Sequence, residues 1–405
     1  MINLKKHTNI ALGYFLLVGI LGIFLRLFFV TPIPANFRYI VHTHSHIALL
    51  GWVYIGLISL IYKMYLTETE NTKTYRKLFW FTNITLLGML FSFPFQGYAL
   101  FSITFSTLFL IASYWLAWFF FKKVPLHHKR TYSWKCIKAS LIYLIISSIG
   151  PWAIGGVMAT LGNTSIWYKL SIYFYLHFQY NGWFILALCG ILFFLMERSG
   201  IAIKRESFQK FFLLLNTGIV LSFFLSVLWV DPPVVFYLLA AAGAIFQAWA
   251  FWKFFNILKI HRLALRSLFS PFALHLLHIA GIILIFKIVL QLISAIPYFA
   301  QLSFLFTDFV IGYLHLVFLG LISITLFAFL ISLRLLRMTR STFTIYIIGF
   351  ILSEVLIFYK GTALWLSLPF FTEYFLILAL VSSLIPVSVG ILLFRNLKIG
   401  GKKYS

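Results

Sequence analysis

Seven histidines lie inside apolar stretches of a chain that carries little other polarity there. His42, His44 and His46 share the run Tyr39-Ile-Val-His-Thr-His-Ser-His-Ile-Ala-Leu-Leu-Gly51, while His177, His275, His278 and His315 occupy separate hydrophobic segments. A polar side chain in hydrocarbon needs a partner, a water-filled cavity or a metal. Neutral imidazole is a ligand for haem iron, copper and zinc. The set therefore predicts a buried metallo-cofactor. Three ionisable residues raise the same question. Lys287 and Asp308 fall on one side of the membrane plan and read as a salt bridge between neighbouring helices. Glu354 reads as a neutral carboxyl, a proton relay or the partner of a histidine.

The segments that must position these residues are membrane spans. Of 405 residues 62% are hydrophobic and 10% charged, a balance that a water-soluble domain does not tolerate. Twelve stretches reach the ~20 residues needed to cross a ~30 Å hydrocarbon core: 10–30, 39–65, 78–95, 98–121, 138–160, 167–196, 209–229, 233–255, 268–296, 304–334, 342–360 and 370–394. The first lacks a small-residue cleavage pattern and reads as a retained helix. The formal net charge of +24 looks like a nucleic-acid signature until it is placed on this plan. With the N-terminus cytoplasmic, 27 of the 32 Lys and Arg residues fall on inner segments. The outer loops hold Arg38, Lys169 and Lys360, and Arg26 and Lys287 lie within stretches. That bias predicts cytoplasmic N- and C-termini and a multi-pass protein of the cell inner (cytoplasmic) membrane. The excess charge faces anionic lipid, and no nucleic-acid partner is expected.

On this plan stretches 2, 6 and 10 run in the same direction, and their histidines share the outer half of the membrane at similar depth. Stretch 9 runs the other way, which puts His275 and His278 in the inner half or near the midplane, three apart on one face, able to chelate, to line a cavity or to serve as packing. His42 and His46 are four apart and share a face, whereas His44 points away. One helix cannot offer all three to a single metal, but two facing helices with one histidine each suit haem iron. Arg38 stands where a cation could pair with haem propionates. His7, His127, His128 and His261 read as solvated positions in basic segments. Cys136 and Cys189 are not expected to form a disulfide. No Cys-x-x-Cys-His, Walker loop or dinucleotide fingerprint occurs. The one internal echo noted is His-x-x-x-x-Gly, from His46 to Gly51 and from His315 to Gly320.

The run Thr307-Asp-Phe-Val-Ile-Gly312-Tyr-Leu-His315-Leu-Val-Phe-Leu-Gly320 resembles the tenth helix of haem–copper oxidase catalytic subunits, and is most similar to the cytochrome cbb-type oxidases and their nitric oxide reductase relatives. The resemblance implies that stretches 2 and 10 hold a low-spin haem b, with His315 as one axial ligand. It also implies a metal ligand in stretch 6, at His177 of Tyr175-Leu-His177-Phe-Gln-Tyr-Asn-Gly182. The chain departs from the family in two places. Tyr313 stands where the family has its active-site haem ligand, and stretch 7 (209–229) contains no histidine. The run His44-Ser-His46-Ile-Ala-Leu-Leu-Gly51 also resembles the first motif of NnrS-type proteins, twelve-helix haem- and copper-binding proteins linked to nitric oxide stress.

The expectation is an all-α polytopic protein, a single membrane domain over 1–405 with a haem–copper oxidase subunit I-like fold. It would bind haem b through His315 and a histidine among His42, His44 and His46, with an altered or missing dinuclear centre. A copper or other second metal would use His177, His275 or His278. Tyr313, Glu354 and Lys287 stand as ligand or proton-relay candidates. An electron donor or partner subunit is implied but not identified. Two other readings stay open: an NnrS-like protein of nitric oxide stress, and a histidine-lined proton-coupled transporter.

Overall fold

The computed structural model of the protein describes residues 2–67 and 72–401, and no strand occurs among them. Twelve helices there are long and apolar enough to cross a membrane: α1 Leu4–Leu27, α2 Phe37–Tyr65, α3 Thr72–Gln96, α4 Leu100–Lys123, α5 Tyr132–Thr160, α6 Ile166–Arg198, α7 Arg205–Val230, α8 Val234–Ile260, α9 Pro271–Ser294, α10 Thr307–Ser332, α11 Arg340–Trp365 and α12 Tyr374–Lys398. They match the twelve apolar stretches one for one. Several run longer, because basic and aromatic residues at their ends continue the helix into an interfacial zone. α5, for instance, begins before Lys135 and Lys138.

Short polar side chains start the helices by accepting otherwise orphaned backbone N–H groups. Asn36 caps α2 through the amides of Arg38 and Tyr39, Ser165 caps α6 through Trp167, and Thr339 caps α11 through Thr342. Ser270 caps α9, with Pro271 at the first helical position where its missing N–H costs nothing.

The chain forms two compact units, one of Met1–Val124 with Leu326–Ser405 and one of Pro125–Thr325. In the first, α1 packs along α12, and α12 along α11, at small residues that let backbones approach. A Cβ at Gly19 would lie 2.8 Å from Pro386 Cβ, and one at Gly349 2.7 Å from Leu384 Cβ. His7 also belongs to this interior. Contrary to the solvated reading, its ring is buried and stacked on Phe79 at 3.5 Å, because the apolar face of α1 starts at its first turn.

In an apolar 18-residue stretch of each helix, α2, α6 and α10 are mostly or wholly buried, whereas each of the other nine is less than half buried. The same three share a second property. Each changes from α to π-helical winding for eight residues, Ile47–Tyr54, Phe178–Ile185 and Leu316–Ser323, and in each the residue before the change is a histidine: His46, His177 and His315. A π turn accommodates an extra residue, widens the helix and is concentrated at functional sites. Each π segment also carries glycine five positions after the histidine, at Gly51, Gly182 and Gly320. The internal echo therefore occurs three times, with histidines separated by 131 and 138 positions.

Two of these segments pack their glycine on a tyrosine, whose hydroxyl reaches an asparagine side chain in one and an asparagine backbone carbonyl in the other. In the first unit a Cβ on Gly51 would lie 2.8 Å from Tyr14 Cβ, and the Tyr14 hydroxyl donates to Asn83 Oδ1 at 3.2 Å. In the second, a Cβ on Gly182 would lie 2.6 Å from Tyr143 Cβ, and the Tyr143 hydroxyl donates to the Asn216 carbonyl at 3.3 Å. Both asparagines donate their amide to a carbonyl one turn back, Phe79 and Phe212.

Candidate functional site

The three histidines of α2 divide between two faces, as their spacing requires. His42 and His46 turn toward Phe93 and Tyr98. His42 stands 4.6 Å from the Tyr98 ring and His46 stands 4.5 Å from the Phe93 ring, measured between centroids. Tyr98 follows Gly97, whose φ of 59° is in the left-handed region and whose absent Cβ would otherwise meet Tyr39 Cε1 at 2.4 Å. Glycine is thus required at the turn that presents Tyr98.

His46 Nδ1 lies 2.8 Å from the His42 carbonyl oxygen, and its Nε2 lies 3.3 Å from the Tyr98 hydroxyl. A carbonyl only accepts, so Nδ1 carries the proton. Nε2 keeps its lone pair and Tyr98 donates to it. Both ring nitrogens of His46 are thus engaged, and a metal at Nε2 would have to displace the Tyr98 hydroxyl while Nδ1–H stayed on its carbonyl, the usual second-shell bond of a metal-ligating histidine.

His44 faces α1. Its Nδ1 lies 3.1 Å from the Val18 carbonyl, and its Cε1 would lie 3.2 Å from a Cβ at Gly22. Arg26 folds back beside it and donates from Nη1 to the Gly22 carbonyl at 3.1 Å. Glu354 of α11 is buried, and neither of its oxygens has a hydrogen-bond partner among the described residues. Arg26 is within electrostatic reach of it. Arg38 is exposed in the first turn of α2.

The second unit holds a different kind of cluster. His177 Nε2 lies 2.8 Å from the Ile219 carbonyl, and Asn181 Nδ2 lies 3.3 Å from His177 Nδ1. Asn181 Oδ1 accepts from Lys287 Nζ at 2.6 Å, which fixes the amide with its NH₂ toward the histidine. His177 Nδ1 is therefore the acceptor and Nε2 the donor, and both ring nitrogens are engaged within the chain. A metal at His177 would have to displace one of these partners.

Lys287 is fully buried, and with no carboxylate within 4 Å of its nitrogen it is not in a salt bridge with Asp308. Amide oxygens take the role that sequence reasoning gave to a carboxylate. Gln247 and Gln291, which the sequence reading passed over, complete the set. The available signal was the presence of Asn181, Gln247 and Gln291 in otherwise apolar spans. Tyr313 meets Tyr180 edge-on, with ring centroids 6.1 Å apart. His315 is half-buried at the start of its π segment. His275 and His278 share a face, as their spacing predicts, and it is the exposed face of α9. Cys136 and Cys189 are buried and free.

No group of three or more His, Cys, Asp or Glu side chains among the described residues is placed to hold a metal ion. A protein-ligated zinc or copper centre commonly draws on at least three protein donors. Haem brings four nitrogens of its own and asks the protein for one or two axial ligands. No family model matches the chain, and no curated protein matches it.

Proposed function

We propose that this chain is a haem b-binding protein of the cytoplasmic membrane, with His46 as an axial ligand. The observation that carries the reading is the His46 imidazole itself, with Nδ1–H on the His42 carbonyl and Nε2 turned to a displaceable phenol hydroxyl. The surrounding features fit such a group. The ring stands where α winding gives way to π winding, on a buried helix among Phe93 and Tyr98. For His315 the support is the sequence resemblance, together with the same position before a π segment.

Haem b would supply a one-electron Fe(III)/Fe(II) couple. The chain's own residues would orient the imidazole, exclude water and, at Arg38, offer a cation to a propionate. An oxygen-reducing dinuclear centre has little support, since α7 carries no histidine, Tyr313 replaces an imidazole and the amide on His177 Nδ1 is itself fixed by Lys287. The NnrS-like reading, a haem- or copper-binding protein of nitric oxide stress, rests on the short run 44–51 alone.

The deciding experiment is a visible spectrum and metal analysis of the purified protein. A Soret band with α and β bands on reduction, and iron near one per chain, is the expected result. Copper without iron, or no metal at all, would overturn the proposal.

A further inference from the structure

Lys287 is held in the second unit by three oxygens from three side chains: Asn181 Oδ1 at 2.6 Å, Gln291 Oε1 at 2.6 Å and Gln247 Oε1 at 3.2 Å. Each amide is oriented by what its nitrogen or helix does elsewhere. Asn181 donates to His177 Nδ1, and Gln247 donates to Ser222 Oγ and reaches the Gly218 carbonyl. Gln291 lies one turn beyond Lys287 on α9. The three oxygens accept, so the nitrogen between them is placed to present three N–H bonds, the geometry that suits an ammonium. All three donors are used, and the fourth direction is the lysine stem.

We infer that Asn181, Gln247 and Gln291 form a binding site for a primary ammonium ion, which Lys287 fills from within the chain. Two features separate this from ordinary helix packing. The cation is fully buried with no carboxylate within 4 Å, so the amide dipoles alone replace its hydration. The site is also assembled from α6, α8 and α9, with α7 bracing it through Ser222 and the Gly218 and Ile219 carbonyls. Without the nitrogen, three buried acceptors would lose their donor at once. Recognition is therefore directional. It requires three N–H groups and an alkyl substituent, not charge alone.

The test is chemical rescue. Lys287→Ala removes three methylenes and the ammonium, which is the size of n-propylammonium. The purified variant should melt roughly 10 °C below the native protein. Millimolar n-propylammonium should recover most of that loss. Tetramethylammonium, with the charge but no N–H, and n-propanol, with the shape but no charge, should not. Recovery by all three compounds, or by none, would overturn the site. Should the variant not accumulate, the native protein labelled with ¹⁵N-lysine decides the matter by NMR. One ammonium with slowly exchanging protons is expected, and rapid exchange at every lysine refutes the inference.

Discussion

His46 returns its Nδ1 to the carbonyl oxygen of His42, 2.8 Å away and one turn back on the same helix. The bond needs the backbone of His42 but not its side chain, and it leaves Nε2 of His46 as the nitrogen able to coordinate. The three α2 histidines, equivalent candidates by spacing, are therefore unequal.

His46→Ala should abolish or strongly perturb a low-spin haem spectrum, and His315→Ala should do the same. His44→Ala removes a ring directed at the Val18 carbonyl of α1 and should leave the spectrum in place at some cost in stability. His42→Ala preserves the orienting carbonyl and should retain haem. An unchanged spectrum in the His46 variant would refute the ranking, whatever the other two variants do.

His177 should behave as a structural residue. His177→Ala leaves the Ile219 carbonyl and the Asn181 amide without their partner, at a cost of about 1–3 kcal/mol each where they stay buried. The melting temperature should fall while iron per chain stays constant. Loss of metal at unchanged stability would restore His177 as a ligand. For the same reason, oxygen uptake driven by a quinol or a reduced cytochrome should be absent or slight in the purified chain.

Gly51→Ala and Gly182→Ala both drive a Cβ into a tyrosine Cβ, at 2.8 and 2.6 Å. Overpacking of this kind costs about 1–3 kcal/mol. Gly13 and Gly156, where a Cβ meets nothing within 4 Å, are the controls, and alanine there should be neutral or mildly stabilising. Equal effects at all four positions in thermal melts would show that the tyrosine contacts do not matter.

A reporter fused at the C-terminus, or inserted in the 122–137 segment, should be cytoplasmic. The basis is the placement of 27 of 32 basic residues on one side of the twelve-span plan. Either reporter on the opposite side would reverse the orientation of every span.

The twelve spans were legible because each is a continuous apolar run, and lipid-exposed backbone must be helical. The division of His42 and His46 from His44 followed from helical periodicity. What stayed hidden depended on winding and on contacts between distant segments. Nothing in Ile47–Tyr54 signals a π turn to a reader counting 3.6 residues. The Lys287 site joins residues 40 and 106 positions away from it. Asp308 looked like its counter-ion because charge suggests charge, whereas in a dry interior three oriented amides can solvate an ammonium as well. The third His-x-x-x-x-Gly was in plain view at His177, obscured because Gln179 and Asn181 interrupt the apolar spacing seen in its sister segments.

The contact of a tyrosine with the glycine of a π segment occurs once in each unit, at Gly51 with Tyr14 and at Gly182 with Tyr143. Each lies beyond a histidine at the same point of its helix, yet the two rings differ in what holds them. The second ring nitrogen of His46 meets a phenol hydroxyl at 3.3 Å, whereas that of His177 meets an amide that Lys287 holds in place. One chain thus carries two like settings with unlike partners, and each serves as an internal control for the other.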